Sequence, residues 1–211
     1  MSDSPWLIVG LGNPGPQYAK NRHNVGFMVV ERWVDRHVTP GTGGASWKQQ
    51  FKGRTAGLHA GPPIGRCVVL EPQTYMNRSG ESVRAAADFH GVPLDRTVVV
   101  HDEIDFDYGR LALKRGGGHG GHNGLRDIIK HTGGPGFLRV RVGVGRPRHG
   151  EVADWVLSDF SSADAAVMAV DELVDRAEQA LTCLLAEGLT AAMNQFNQTP
   201  SSATQAPAGA S

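Results

Sequence analysis

The sequence predicts an α/β protein, a single-domain three-layer α/β/α sandwich around a mixed, mostly parallel sheet. Three observations carry that expectation. Short apolar runs of strand length alternate with stripes of helical period. Most of the apolar runs stop at glycine, proline or a short polar residue rather than continuing. The 211 residues, 40% hydrophobic and 20% charged, suffice for one core and match an ordinary globular composition.

Taken in order, Trp6 to Val9 is a buried strand running into the sharp loop Gly10-Leu-Gly-Asn-Pro-Gly15. A helix follows from about His23 to Arg36, with Val25, Met28, Val29 and Trp33 along one stripe. Phe51 to Ala60 reads as a strand, and Cys67 to Leu70 as another that ends before Pro72. Ser79 is placed to cap a helix reaching His90, with Val83, Ala86 and Ala87 inward. Thr97 to Val100 is a buried strand ending at His101-Asp102-Glu103. Leu111 to Lys114 is a shorter one, followed by a glycine-rich loop and a helix to about His131. From Leu138 to Gly145 the chain alternates, with Leu138, Val140, Val142 and Val144 on one face and Arg139 and Arg141 together on the other. Ala163 to Glu187 reads as one long helix, capped by Ser161 or Ser162 and striped by Val167, Val170, Val174, Leu181 and Leu184. Residues 1–197 form the expected folded domain; 198–211, without a bulky apolar residue, read as a disordered tail.

Several classes are excluded at this level. No apolar run approaches the roughly 20 residues needed to cross a bilayer, and the short polar N-terminus is unlike a secretory signal. Cys67 and Cys183 sit in apolar contexts far apart in sequence; a bridge between them is one reading, but buried, reduced thiols are expected, which with the preceding points indicates a cytoplasmic protein. The formal net charge is zero, but its distribution is uneven. Residues 108–150 carry nine Lys or Arg against the single acid Asp127, a local +8, whereas 151–211 carry nine acids against Arg176 alone, a local −8. A polyanionic partner would meet the first segment. The competing reading is that the acidic helix neutralises it.

Gly10-Leu-Gly-Asn-Pro-Gly15 satisfies the dinucleotide pattern G-x-G-x-x-G, but Pro14 and Pro16 intervene and the helix begins several residues later, so a nucleotide-dependent oxidoreductase is set aside. Asn13, Asn77 and Asp102 each fall just past the end of a strand. In sheets of this type such positions gather at one crevice. His23 opens a helix and titrates near neutral pH, which suits a general base. Asp102 arrives at the same crevice and can fix its tautomer, with Glu103 or Asp105 as alternative partners. No serine or cysteine occupies a nucleophile-elbow context, so water is the expected nucleophile. Asn13, Asn77 and Asn123 can grip a carbonyl or amide, or donate to an oxyanion. The glycines of 116–124 permit close backbone approach and offer helix N–H groups to a phosphate. His119 and His122 lack a third firm ligand, so no metal or other cofactor is expected.

Together, Leu7-Ile-Val-Gly-Leu-Gly-Asn-Pro-Gly15, Tyr18, Arg22-His-Asn-Val-Gly26, Pro72-Gln-Thr-Tyr-Met-Asn77, Ser79-Gly80, His101-Asp-Glu103 and Gly116 to Gly124 resemble the bacterial-type peptidyl-tRNA hydrolase family, in order from Trp6 to Met193. Glu71, where many relatives carry lysine, is a small departure. The resemblance implies hydrolysis of the ester between a peptide and the 3′ end of tRNA, with His23 as general base and Asp102 orienting it. It implies that Asn13 separates blocked from free aminoacyl substrates. By the same resemblance Tyr18, Tyr75, Met76, Asn77 and Asn123 contact substrate, and Lys114 and Arg141 hold acceptor-stem phosphates. It further implies a monomer that needs no metal. The alternative is a non-enzymatic RNA-binding protein of the same fold, against which the intact His23, Asp102 and Asn13 argue.

Overall fold

The computed structural model describes residues 4–38 and 46–198, so the expected tail lies outside the described residues beyond Gln198. Among the described residues seven strands form one sheet: β1 (Trp6–Gly10), β2 (Lys48–Gln50), β3 (Gly53–His59), β4 (Arg66–Pro72), β5 (Thr97–Glu103), β6 (Leu111–Arg115) and β7 (Leu138–Gly143), in the order β2-β3-β4-β1-β5-β7-β6. The four central strands are parallel, as β1 pairs with β4 and β5, and β5 with β7. The outer strands pair antiparallel. For β2, β3 and β4 the reason is the short connections, which allow hairpins but no crossover.

Helices cover both faces, as expected. On one lie α1 (Val25–His37), α6 (Val170–Glu187) and α7 (Leu189–Phe196), packed over Ile8, Val98, Val100, Val140 and Val142. On the other lie α2 (Ser79–His90) and α3 (Asn123–Thr132), over Leu7, Val9, Val99 and Phe137. Two short helices, α4 (Val152–Val156) and α5 (Ser162–Val167), connect β7 to α6. In α1 the residues Val25, Val29, Val30, Trp33 and Val34 are buried, the 3.6-residue stripe legible in the sequence. Each such side chain contributes about 1.5–3 kcal/mol by leaving water.

Gly26 decides where α1 can sit. A Cβ there would lie 2.4 Å from the Leu11 nitrogen and 2.4 Å from the Val100 carbonyl oxygen. Only glycine lets the first turn of α1 press onto the ends of β1 and β5, and this brings the preceding residues to the mouth of the sheet.

Several sequence expectations are corrected. Phe51 and Lys52 are not strand residues. Both have positive φ, 55° and 54°, and they form the two-residue turn joining β2 to β3. Phe51 packs its ring on Phe89, 5.1 Å between centroids, an apolar contact that offsets the unfavourable backbone. Ser79 is the first helical residue and not a cap, since its hydroxyl donates back to the Met76 carbonyl at 2.9 Å. The single helix from Ala163 to Glu187 is two: Met168 is extended, and Tyr108 Oη donates to its carbonyl at 3.0 Å. That break turns Val167 out of the stripe, leaving it 71% exposed. Ser161 does cap α5, in a reciprocal box with Asp164. Strand β2 and helices α4 and α7 had no sequence expectation.

Cys67 and Cys183 are free and buried. The acidic segment answers α1 and the turn before it, and not the basic segment. Asp171 and Asp175 pair with Arg32, Asp175 and Glu178 with Arg36, and Asp164 with Arg22. Among the described residues no ion pair joins 108–150 to 151–187, so the +8 read from residues 108–150 is not neutralised from there. No helix among the described residues is long and apolar enough to cross a membrane.

Candidate active site

The carboxyl ends of the parallel strands open into a cavity of about 520 Å³. Asn13 reaches it from beyond β1, Tyr75, Met76 and Asn77 from beyond β4, Asp102 from β5, and Asn123 from the start of α3. The apolar part of its lining is Met76 and Ile104 with Val152, Ala153, Val156 and Leu157.

His23 lies in the 3₁₀ turn Arg22–Asn24 that leads into α1. Its Nδ1 donates to Asp102 Oδ1 at 2.8 Å, which leaves Nε2 with a lone pair. Burial pulls its pKa down, but the Asp102 charge and hydrogen bond prevail and the pKa is raised. The Asp102 carboxyl is buried, which would push it up. The charges of His23 and His122 and their hydrogen bonds instead hold it well below the usual carboxylate range. Glu103 and Asp105 are otherwise engaged, by Arg141 and Arg146 respectively.

Asn13 is buried and its amide orientation is determined by its contacts. Its Oδ1 accepts the Met76 N–H at 2.8 Å, and its backbone is clamped at both ends by the Asn24 side chain at 2.9 Å. With the oxygen occupied, the amide NH₂ is the group left to serve a ligand. The sequence suggested either polarity; the fold selects the donor.

Two histidines have roles that the sequence reading does not assign: His122 is weighed there only as a metal ligand, and His101 only as part of a strand end. His122 caps α3: its Nδ1 accepts from the N–H of Gly124 at 3.1 Å and of Leu125 at 3.4 Å, and its Nε2–H donates to Asp102 Oδ1 at 3.0 Å. The same carboxylate oxygen therefore takes two imidazole N–H bonds. His101 is fully buried, with Nδ1–H donating to the Asp102 carbonyl at 2.7 Å, and burial with His122 nearby holds its pKa well below the normal value. His122 holds the Asp102 carboxylate and His101 its backbone carbonyl, so the two fix this residue from both sides. The available signal for His122 was its position directly before a helix at the end of the glycine loop. His101 alternates with valines in β5 and carried none.

This arrangement also corrects the phosphate expectation for the glycine loop. The N–H groups of Gly124 and Leu125 in the first turn of α3 are taken by His122, so these two are not open to an anion. His23, Asp102 and His122 bring potential metal ligands within 4.8 Å of one another. The tautomer opposes coordination, because a neutral His122 binding metal through Nε2 would carry its proton on Nδ1, against two N–H donors.

The basic positions sit apart from the cavity. Lys114, Arg139 and Arg141 share one face of β6 and β7. Arg139 is buried and donates to the Gly117 and Gly118 carbonyls at 2.5 and 2.7 Å, so it holds the loop and does not act with Arg141 on a ligand. Arg141 grips Glu103 through Nε at 3.0 Å and Nη2 at 2.9 Å. The Lys114 pKa is lowered by partial burial and then by Arg141 and Arg139, the setting of a cation short of counter-charge. Tyr18 lies in the turn Pro16–Tyr18, outside the cavity lining.

The model of a family described as peptidyl-tRNA hydrolase matches residues 7–205. A peptidyl-tRNA hydrolase of Pseudarthrobacter chlorophenolicus is 49% identical over 198 residues, covering 93% of this chain and 97% of that one. One of Streptomyces avermitilis is 46% identical over 202 residues, covering 93% and 95%. The crystal structure of peptidyl-tRNA hydrolase from Acinetobacter baumannii superposes with a TM-score of 0.79 at 41% identity, covering 92% of this chain and 94% of that one.

Proposed function

The chain belongs to the peptidyl-tRNA hydrolase family, and from that premise we propose that it cleaves the ester between a peptide and the 3′-terminal ribose of tRNA in the cavity at the strand ends. His23 Nε2 takes a proton from water, and the hydroxide oxygen bonds to the ester carbonyl carbon. Asp102 stabilises the imidazolium that forms. The Asn13 NH₂ donates to the peptide carbonyl or to the developing oxyanion. Collapse breaks the bond to the ribose oxygen, which receives the proton from His23, releasing tRNA and the peptide acid. Tyr75, Met76, Asn77 and Asn123 contact the substrate around this centre. Tyr18, Lys114 and Arg141 act on the nucleic acid outside the cavity, Lys114 chiefly through phosphates. No metal enters the step.

One observation carries this reading: a histidine whose Nδ1 lies 2.8 Å from a buried carboxylate and whose Nε2 is left as the base, in the same cavity as an amide whose oxygen already accepts from Met76 and whose NH₂ is left for a ligand. The non-enzymatic alternative has no use for that construction. The test is turnover of an N-blocked aminoacyl-tRNA by wild type and His23→Ala. Loss of turnover with tRNA binding kept is the expected result, and undiminished turnover removes His23 from the mechanism. We further propose that residues 1–197 act as one catalytic unit, as a monomer in the cytoplasm, with 198–211 dispensable; sedimentation of the protein and turnover by a chain ending at Gln198 check these points.

A further inference from the structure

Arg22, the residue before His23, is buried with its side chain only 2% exposed, and almost all its bonds go to one segment. Its Nη1 donates to Ser158 Oγ at 2.6 Å, to the Ser158 carbonyl at 3.4 Å and to the Asp159 carbonyl at 2.5 Å. Its Nη2 meets the Asp164 carboxylate at 2.5 Å. The guanidinium lies over the Trp155 ring, 3.8 Å from its centroid. Around it the Arg22 N–H donates to the Ser158 carbonyl at 3.0 Å, and the Asn21 amide to Asp159 at 2.8 Å. From the other side Trp155 Nε1 donates to the Gly145 carbonyl at 2.9 Å, tying the same segment to the chain just past β7. The segment so tied includes α4 and the turn after it, whose Val152, Ala153, Val156 and Leu157 supply most of the apolar lining of the cavity. Val152 and Leu157 are 38% and 42% exposed, apolar surface that a ligand in the cavity would cover.

We propose that Arg22 is a positioning residue that holds the α4 wall of the cavity against the turn carrying His23, and thereby sets affinity for the peptide half of the substrate; this rests on the hydrolase reading. The chemistry requires arginine. Four acceptors on two sides of a planar fork, plus a stacked ring, cannot be met by the single ammonium of lysine. The contacts bypass the imidazole, which is held separately by Asp102. Arg22 therefore acts on binding, while the proton chemistry belongs to His23 and Asp102.

The experiment measures kcat and KM for an N-blocked aminoacyl-tRNA, the pH profile of kcat, and the Kd of deacylated tRNA, in wild type, Arg22→Lys and Asp164→Asn. Expected for Arg22→Lys is a KM raised about tenfold with kcat and its pH profile unmoved, the sign of lost uniform binding. Deacylated tRNA, lacking the peptide, binds as before. Asp164→Asn moves KM the same way by a smaller factor and carries the test alone if Arg22→Lys does not fold. The two changes together fall short of the product of the singles, since they remove one interaction. An unchanged KM in both variants, an equal loss of deacylated tRNA affinity, or a moved pH profile overturns the proposal. A wild type without turnover would instead overturn the hydrolase reading beneath it.

Discussion

Replacing Asp102 by asparagine separates the charge of this group from its shape. Both imidazole donors, His23 Nδ1–H and His122 Nε2–H, end on the same oxygen, Oδ1, and the amide oxygen of asparagine can accept both. What disappears is the negative charge beside the imidazolium that forms in the reaction. With charge centres about 4 Å apart and an effective dielectric of about 20, that attraction is worth about 4 kcal/mol. At about 1.36 kcal/mol per decade, kcat/KM falls roughly a thousandfold at its plateau. The pH dependence moves independently. The ionised carboxylate raises the His23 pKa against burial; without it burial acts alone, the pKa falls, and the acidic limb of the profile shifts to lower pH even as the plateau drops. The assay is the hydrolysis of an N-blocked aminoacyl-tRNA from about pH 5 to about pH 9, a range spanning the limb. A plateau within a few-fold of wild type, or a limb that moves upward, refutes the electrostatic role of Asp102.

Replacing His122 by phenylalanine removes one donor from Asp102, which then draws the His23 proton more strongly; the acidic limb moves to higher pH, opposite to Asp102→Asn. It also leaves two α3 N–H groups uncapped, so urea unfolding reports a loss of about 1 kcal/mol. Lys114→Gln raises KM and lowers the salt dependence of KM by about one counterion, with kcat kept; an unaltered salt slope with a reduced kcat refutes its phosphate role. Glu71, buried beside Arg54, has its carboxyl pushed up to about 7 by burial despite that partner. Its folded pKa lies above the unfolded one, so it contributes stability below the unfolded value near 4.5 that is lost as pH rises through about 7. Glu71→Gln should flatten unfolding free energy across that window, and an unchanged pH slope discounts the effect.

Much of this protein was legible from sequence because burial writes itself as periodicity. The valine-rich runs of β5 and β7 and the Val25, Val29, Trp33 stripe of α1 can satisfy their apolar faces in few ways, and each lies where the pattern put it. The same logic aimed Asn13, Asn77 and Asp102 at a single crevice, since residues just past parallel strands share one edge of the sheet. Periodicity failed where a tertiary bond overrode it. The stripe through Val167 ran on in sequence, but the chain is extended at Met168, where Tyr108 holds its carbonyl.

Sequence alone also left each site residue with its full set of chemical options. Local pattern determines which side chains reach the cavity, because the backbone path sets their direction. It does not determine which of their atoms remain free, because those are settled by partners far along the chain. Met76 spends the Asn13 oxygen and makes it a donor; Gly124 and Leu125 turn His122 into a donor to Asp102; Gly117 and Gly118 withdraw Arg139 from any ligand. Hydrogen-bond capacity is finite, and only the folded chain decides where it is used.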